Sequence, residues 1–296
     1  MIEKPHQPLG NYKKFMKRER ILFISLVILI SSVSFARVDE IVIFNQKIAW
    51  STMDAAKKAT NYIEQNVKSA RIVRSLNKVE IADFVTKTYK DGTIDIIILF
   101  GYLPETIYEP GNNQKDNSLI EKFIDGGNIV FNTGDYIFFV SRGSNGIDGL
   151  KTITDSNFDC MVPNFDNYIY KPTIEGEKYV PSLPAKYDSK RPIKKYQVDV
   201  NTNWEIEIAF GSAVDGIALV DEQKELLNQL LDPVILKDTK TAGRLAIVRQ
   251  TPREAPDRGA VITEIIDNYL SHKIKTMISV DANKQITTFW AHKKTN

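Results

Sequence analysis

Between Asp39 and Gly134, short apolar runs alternate with segments of helical periodicity, the pattern of a parallel sheet flanked by helices. Ile41 to Ala49 opens it as a β-branched run. Ser51-Thr-Met-Asp54 resembles a capping box, and Ala55, Ala59, Tyr62, Ile63 and Val67 then recur at helical spacing. Arg71 to Leu76 reads as a second strand. Asn77 is placed to cap a helix whose inner face is Ile81, Val85 and Tyr89, ending at Asp91-Gly92. Ile94 to Phe100, IDIIILF, is so uniformly apolar that it predicts a central strand buried on both faces. Ser118 to Glu121 is another capping box, Leu119, Ile120, Phe123 and Ile124 supply the apolar side, and Gly126-Gly127 stops that helix before a fourth strand at Asn128 to Asn132.

Past Val140 the rhythm breaks. Residues 141–200 hold five prolines and five tyrosines with little periodicity, which predicts an irregular insertion or lid. Regularity returns with the alternation Trp204, Ile206, Ile208. Pro233 to Leu236 and Arg244 to Val248 flank a turn at Asp238 to Gly243, as in a hairpin. Gly259 to Leu270 predicts an amphipathic helix with Val261, Ile265, Ile266 and Tyr269 inward, and residues 278–290 predict a closing β-hairpin. The expected fold is α/β: a doubly wound, mainly parallel sheet built from the runs near Ile41, Arg71, Ile94, Asn128 and Arg244, with right-handed crossovers.

The segment Met16 to Ala36 changes the picture, because it has the make-up of a bacterial secretion signal. Lys17, Arg18 and Arg20 form a basic start, Ile21 to Val33 an apolar run, and Ser34 and Ala36 the small residues that a signal peptidase reads. Residues 1–36 are therefore expected to be removed, with translation starting at Met16 and residues 37–296 forming a single domain that is periplasmic or extracellular. The rival reading is a membrane anchor, but Ile21 to Ala36 falls short of the roughly 20 residues needed to cross a bilayer core. Of 39 basic and 37 acidic residues, the first 36 positions hold six and two, leaving 33 and 35. The remainder has no clustered Lys/Arg stripe, so nucleic acid is not an expected partner. A single cysteine, Cys160, excludes an internal disulfide, and no Cys/His cluster has zinc spacing. Neither a metal nor a cofactor is expected.

The strand–helix order, the run LIEKFIDGGNIVFNTGD, and much later GRLAIVRQTPRE before a terminal helix together resemble the class I glutamine amidotransferase-like superfamily, including its ThuA-like branch. The resemblance spans Asp39 to Leu270, leaves residues 141–200 outside, and implies a flavodoxin-like sheet. In active members the turn after the fourth strand carries a cysteine nucleophile, and a later strand is followed by the histidine that deprotonates it. Here the turn reads Asn132-Thr133-Gly134-Asp135-Tyr136 and the later segment Arg249-Gln250-Thr251-Pro252-Arg253-Glu254, with neither residue. Cys160 lies in the insertion; of the histidines after residue 36, His272 is at a helix end and His292 in a basic tail. Glutamine hydrolysis by that mechanism is not expected.

The crevice at the carboxyl ends of such strands is where ligands bind. The candidate ligand contacts are Asn132, Asp135 and Tyr136 in the turn, Tyr102 and Glu105 after the central strand, and Arg249 and Arg253 after the last strand. Asp135 could serve as a general base or ligand carboxylate, or simply cap the turn. Arg249 and Arg253 could clamp an anion, or pair with Glu254 or Asp257. Tyr168, Tyr170, Tyr179 and Tyr187 of the insertion could stack on sugar rings. The expected function is an exported binding or assembly module of the bacterial envelope without glutaminase activity. Its partner would be an unknown small molecule, a carbohydrate or an envelope protein, with the membrane touched only through an uncleaved signal. The alternative is a carbohydrate-active hydrolase or isomerase using Asp135. A third reading lends the edge of the 278–290 hairpin to a partner's sheet.

Overall fold

The computed structural model describes residues 38–109, 116–139, 149–252 and 254–276. Five parallel strands form the body of a seven-stranded sheet: β1 (Val38–Phe44), β2 (Ala70–Ser75), β3 (Ile96–Leu99), β4 (Ile129–Gly134) and β11 (Arg244–Gln250). Its order is β2-β1-β3-β4-β11, completed by β10 (Val234–Asp238), antiparallel to β11, and by β7 (Trp204–Ala209), antiparallel to β10. The expected hairpin between β10 and β11 is present. IDIIILF supplies an interior strand paired on both sides, Ile41 opposite Ile96 and Ile98 opposite Phe131. All four residues of β3 are buried, the physical reason its sequence needs no polar alternation.

Local chemistry sets the helices. α1 (Met53–Asn66) starts one residue later than the sequence predicts: Thr52, not Ser51, is the cap, accepting from the Ala55 N–H. α2 (Lys78–Thr88) and α3 (Leu119–Asp125) begin at the expected capping boxes, Asn77 with Glu80 and Ser118 with Glu121. Ile81, Phe84 and Val85 of α2 and Ile120, Phe123 and Ile124 of α3 share one core cluster with Val42, Ile97, Leu99, Val130 and Ile247 of the sheet. The alternate strand residues Ile41, Ile43, Ile98 and Phe131 are equally buried. By strand alternation they point the opposite way. The closing helix (Arg258–Glu264) runs on into a π-helical stretch at Ile265–Leu270, packs on α1, and buries Val261, Ile265, Ile266 and Tyr269 as expected.

The irregular insertion is a correction. Its described part contains α4 (Gly149–Ile153), β5 (Tyr168–Pro172), α5 (Ile174–Tyr179), β6 (Ile193–Lys194) and α6 (Lys195–Asp199). With β8 (Gly211–Gly216) and β9 (Leu230–Leu231) these strands make a second, antiparallel sheet ordered β5-β8-β9-β6. Strands of two to six residues that pair with partners nineteen or more residues away leave too short a period to detect in sequence. Tyr168, Tyr170 and Tyr187 are buried in this unit, and Tyr179 meets Tyr269 edge-on at 5.4 Å. No described helix is long and apolar enough to cross a membrane. The secretion signal and the 278–290 hairpin lie outside the described residues.

Candidate functional site

The carboxyl ends of β1, β3, β4 and β11 lie along one edge of the sheet. Strained backbone gathers there: Trp50 (φ 52°), Tyr136 (56°), Phe138 (56°) and Arg249 (52°) all occupy the left-handed region. Such conformations cost about 1–3 kcal/mol each and persist where the surroundings over-determine them, commonly at functional sites. Trp50 sits in a three-residue turn closed by the Ser51 N–H on the Ala49 carbonyl, 2.8 Å. Gly101, at φ 75°, lets β3 end against the elbow, because a Cβ there would stand 2.2 Å from the Asp135 carbonyl oxygen.

Asn132 is fully buried and ties the elbow internally. Its Nδ2 donates to the Tyr136 carbonyl at 2.8 Å and to Gln250 Oε1 at 3.2 Å, its Oδ1 accepts from the Phe138 N–H at 3.1 Å, and Gln250 Nε2 donates to its carbonyl at 2.7 Å. Every one of these bonds holds β4, its turn and β11 together, so the side chain acts as scaffold.

Asp135 is buried beside Arg191, with Oδ1 accepting from the Tyr136 N–H at 2.9 Å and lying 3.5 Å from Arg191 Nε. Burial pushes its carboxyl pKa above the usual range, and Arg191 and the Tyr136 N–H only partly offset this. The Arg191 guanidinium also lies over the Tyr136 ring, 4.4 Å from its centre. Tyr136 in turn packs on Trp50 at 4.6 Å, and Trp50 on Phe139 at 4.8 Å. Trp50 remains 55% exposed, so the outer wall of the elbow is aromatic.

Tyr102 and Glu105 follow β3 on the same edge but form a separate chain of contacts. Lys47 Nζ donates to the Tyr102 hydroxyl at 2.7 Å, that hydroxyl donates to Glu105 Oε2 at 3.0 Å, and Lys78 Nζ reaches Glu105 Oε1 at 2.6 Å. The hydrogen bonds from Lys78 and Tyr102 pull the Glu105 carboxyl down to about 2. Arg249 pairs with Asp257 through Nε at 2.6 Å and Nη2 at 3.2 Å, and lies 4.7 Å over the Tyr187 ring. Its partner is thus one of the two acids expected from sequence, while Glu254 pairs with Lys58. Arg253 lies outside the described residues.

Sequence reasoning named Tyr187 only as a candidate sugar-stacking ring and missed the segment Asp188 to Arg191 that follows it across this edge. The Lys190 N–H donates to the Gln250 carbonyl at 2.6 Å, Arg249 Nη1 donates to the Asp188 carbonyl at 3.2 Å, and Lys190 pairs with Asp166 and Asp188. Lys190 and Arg191 are both buried. It also missed Asp232, whose two oxygens accept from the Arg249 and Gln250 N–H groups at 2.7 and 2.8 Å and whose carboxyl burial pushes up to about 6. The signal that could have found them is the cationic pair Lys190-Arg191 inside a proline- and tyrosine-rich stretch, where a solvated loop has no need of arginine's rigid fork.

Cys160 belongs to the same apolar cluster as Ile137 and Phe138 of the turn, so the insertion delivers the thiol close behind the elbow. Burial pushes its pKa up to about 12, which leaves it protonated and unreactive at neutral pH. His272 is exposed on the last described helical turn. Among the described residues no group of three or more His, Cys, Asp or Glu side chains could hold a metal ion. The edge therefore offers one buried carboxylate held by an arginine, an exposed aromatic wall, and a Lys–Tyr–Glu–Lys chain.

No family model matches the chain, and no curated protein does. Among solved structures it is similar to the crystal structure of "a Putative thua-like protein from Bacteroides uniformis", with a TM-score of 0.44 and 10% identity over 77% of this chain and 89% of that one.

Proposed function

We propose that this chain is an exported, doubly wound, amidotransferase-like protein of the ThuA-like kind that does not hydrolyse glutamine and serves as a binding or assembly module in the bacterial envelope. The observation that carries the reading is the Asp135–Arg191 pair at the elbow, where the amidotransferase mechanism needs a thiolate and an imidazole. A carboxylate already held by an internal guanidinium is a poor nucleophile, and the nearby thiol is held protonated. Export rests on the composition of residues 16–36 alone. Purified protein incubated with glutamine should release no ammonia above the buffer rate, and Cys160→Ser should change nothing; a glutaminase rate abolished by that substitution would overturn the reading. Terminal sequencing of the secreted product should begin at Arg37, and any other start would refute the processing step.

One observation favours a second reading, a carbohydrate-active hydrolase or isomerase: Asp135 has the raised pKa that an acid–base catalyst needs and lies at the ligand-binding edge of the sheet. On that reading Asp135→Asn abolishes turnover of a saccharide substrate while the fold stays intact.

A further inference from the structure

Two buried carboxylates, Asp135 and Asp232, lie beneath one short segment, residues 188–192. Its ends are anchored: Tyr187 exchanges two backbone bonds with Tyr170, at 2.9 and 3.1 Å, and Ile193 of β6 pairs with Leu231. Between them the chain forms neither helix nor strand, and among the described residues its backbone makes one hydrogen bond to another backbone group, from the Lys190 N–H to the Gln250 carbonyl. The remaining ties run through side chains: Arg191 to Asp135, Lys190 to Asp166 and Asp188, Arg249 to the Asp188 carbonyl, and Thr251 to the Asp188 carboxylate. Arg191 covers Asp135. Tyr187 and Ser189 cover Asp232, the first donating its hydroxyl to the Asp232 carbonyl and the second facing the carboxylate.

We propose that residues 188–192 are a proton-driven bolt across the strand-end edge, shut in acid and released towards neutral pH, when it uncovers Asp135 and Asp232. The proposal rests on the binding-module reading and adds its regulation. A span with one backbone bond opens at less cost than the strands on either side of it. Opening returns water to both carboxylates. Burial pushes Asp232 up to about 6 from its ordinary 3.8, and pushes Asp135 in the same direction. Each therefore holds its proton more tightly when covered, so acid favours the closed form, and that preference is lost as pH rises through about 6. From Asp232 alone, the open fraction rises about fiftyfold between pH 4 and pH 7. The other groups facing the two carboxylates are the cations Lys190, Arg191, Arg249 and Arg258 and the tyrosines Tyr170 and Tyr187, whose hydroxyls burial pushes well above their usual range. Cys160, which faces Arg191, stays protonated, and Asp166, Asp188 and Asp257 are paired with Lys190 or Arg249.

The test is amide hydrogen exchange on the ¹⁵N-labelled protein across pH 4 to 7, with each rate corrected for its intrinsic pH dependence. The Lys190 amide reports the bolt and the Ile97 amide of the interior strand β3 reports the whole fold. Lys190 should be at least about tenfold less protected than Ile97 throughout, and its protection should fall about fiftyfold from pH 4 to pH 7 and level off above about 6. Asp232→Asn should flatten most of that profile, and Asp135→Asn a smaller part. The parent profile needs no variant to fold, and it alone can refute the proposal. Protection of Lys190 that ignores pH, that equals protection of Ile97 at each pH, or whose pH dependence survives in both variants would overturn it. Exchange is read without any ligand, so a glutaminase activity would sink the first reading while leaving this measurement to decide the bolt by itself.

Discussion

Replacing Asp135 by alanine takes from buried Arg191 the carboxylate that lies 3.5 Å from its Nε. Breaking a buried ion pair from one side costs about 3–5 kcal/mol, because the remaining charge keeps its desolvation penalty. The lower end applies here. The contact is long, at 3.5 Å, and Arg191 keeps a 2.8 Å bond to the Lys190 carbonyl and its position over the Tyr136 ring. We expect about 3 kcal/mol for Asp135→Ala, well above the 0.5–2 kcal/mol of a simple turn or helix cap. Asp135→Asn keeps an acceptor for the Tyr136 N–H and should cost less. The raised pKa of Asp135 says that the pair does not offset its own burial, so Asp135→Ala with Arg191→Met should be more stable than Asp135→Ala alone. Urea unfolding of the parent, both single variants and the double variant gives the coupling energy, expected at about 1.5–3 kcal/mol. A coupling near zero, or a gain in stability from Asp135→Ala, would show that the carboxylate is kept at the expense of the fold for a ligand and would favour the enzyme reading.

Asp232 binds its proton more tightly folded than unfolded, so its contribution to stability is present below about pH 4 and is lost as pH rises through about 6. Relative to Asp232→Asn, the parent should lose about 3 kcal/mol between pH 4 and pH 7, from a shift of roughly two units at 1.36 kcal/mol each; a pH-independent difference in urea unfolding would refute the assignment. Cys160 should resist iodoacetamide at pH 8 until the protein is unfolded, and labelling of the native protein at the rate of a free thiol would contradict its burial. Gly101→Ala must relieve both a positive φ and a 2.2 Å approach to the Asp135 carbonyl, and should cost roughly 3 kcal/mol or more by thermal unfolding, whereas a loss under about 1 kcal/mol would mean that β3 and the elbow separate easily.

The parallel half of the fold was legible because its signals are local. IDIIILF could be nothing but an interior strand, and Asn77 and Ser118 announce their helices by side chains that bond within three residues. The second sheet was not legible, because its strands are short and its pairings distant, Tyr170 with Ala213 and Ile193 with Leu231. The site was half legible for the same reason. Alternation and the Gly-rich stop placed Asn132 and Asp135 correctly at a strand end, but the partner that decides what Asp135 does, Arg191, arrives from 56 residues downstream through the element that sequence reading took for a loop.

That arrangement closes the strand-end edge with the protein's own side chains. An open crevice needs its buried carboxylate to meet a ligand; here Arg191 supplies the cation, Tyr136 the surface beneath it, and Lys190 and Asn132 the bonds that fix both to β11 and β4. The strained Trp50, Tyr136, Phe138 and Arg249 are held by these contacts and by the Asp232 carboxylate behind them. If the segment 187–191 is the internal replacement for a ligand, its removal should release strain and expose a charged crevice together, whereas its retention leaves only the exposed aromatic wall of Trp50 facing outward at this edge. The two can be told apart by whether Arg191→Met raises or lowers stability when Asp135 is already alanine: a rise means that the arginine is held chiefly for Asp135, and a loss means that its contacts with the Lys190 carbonyl and the Tyr136 ring hold the elbow as well.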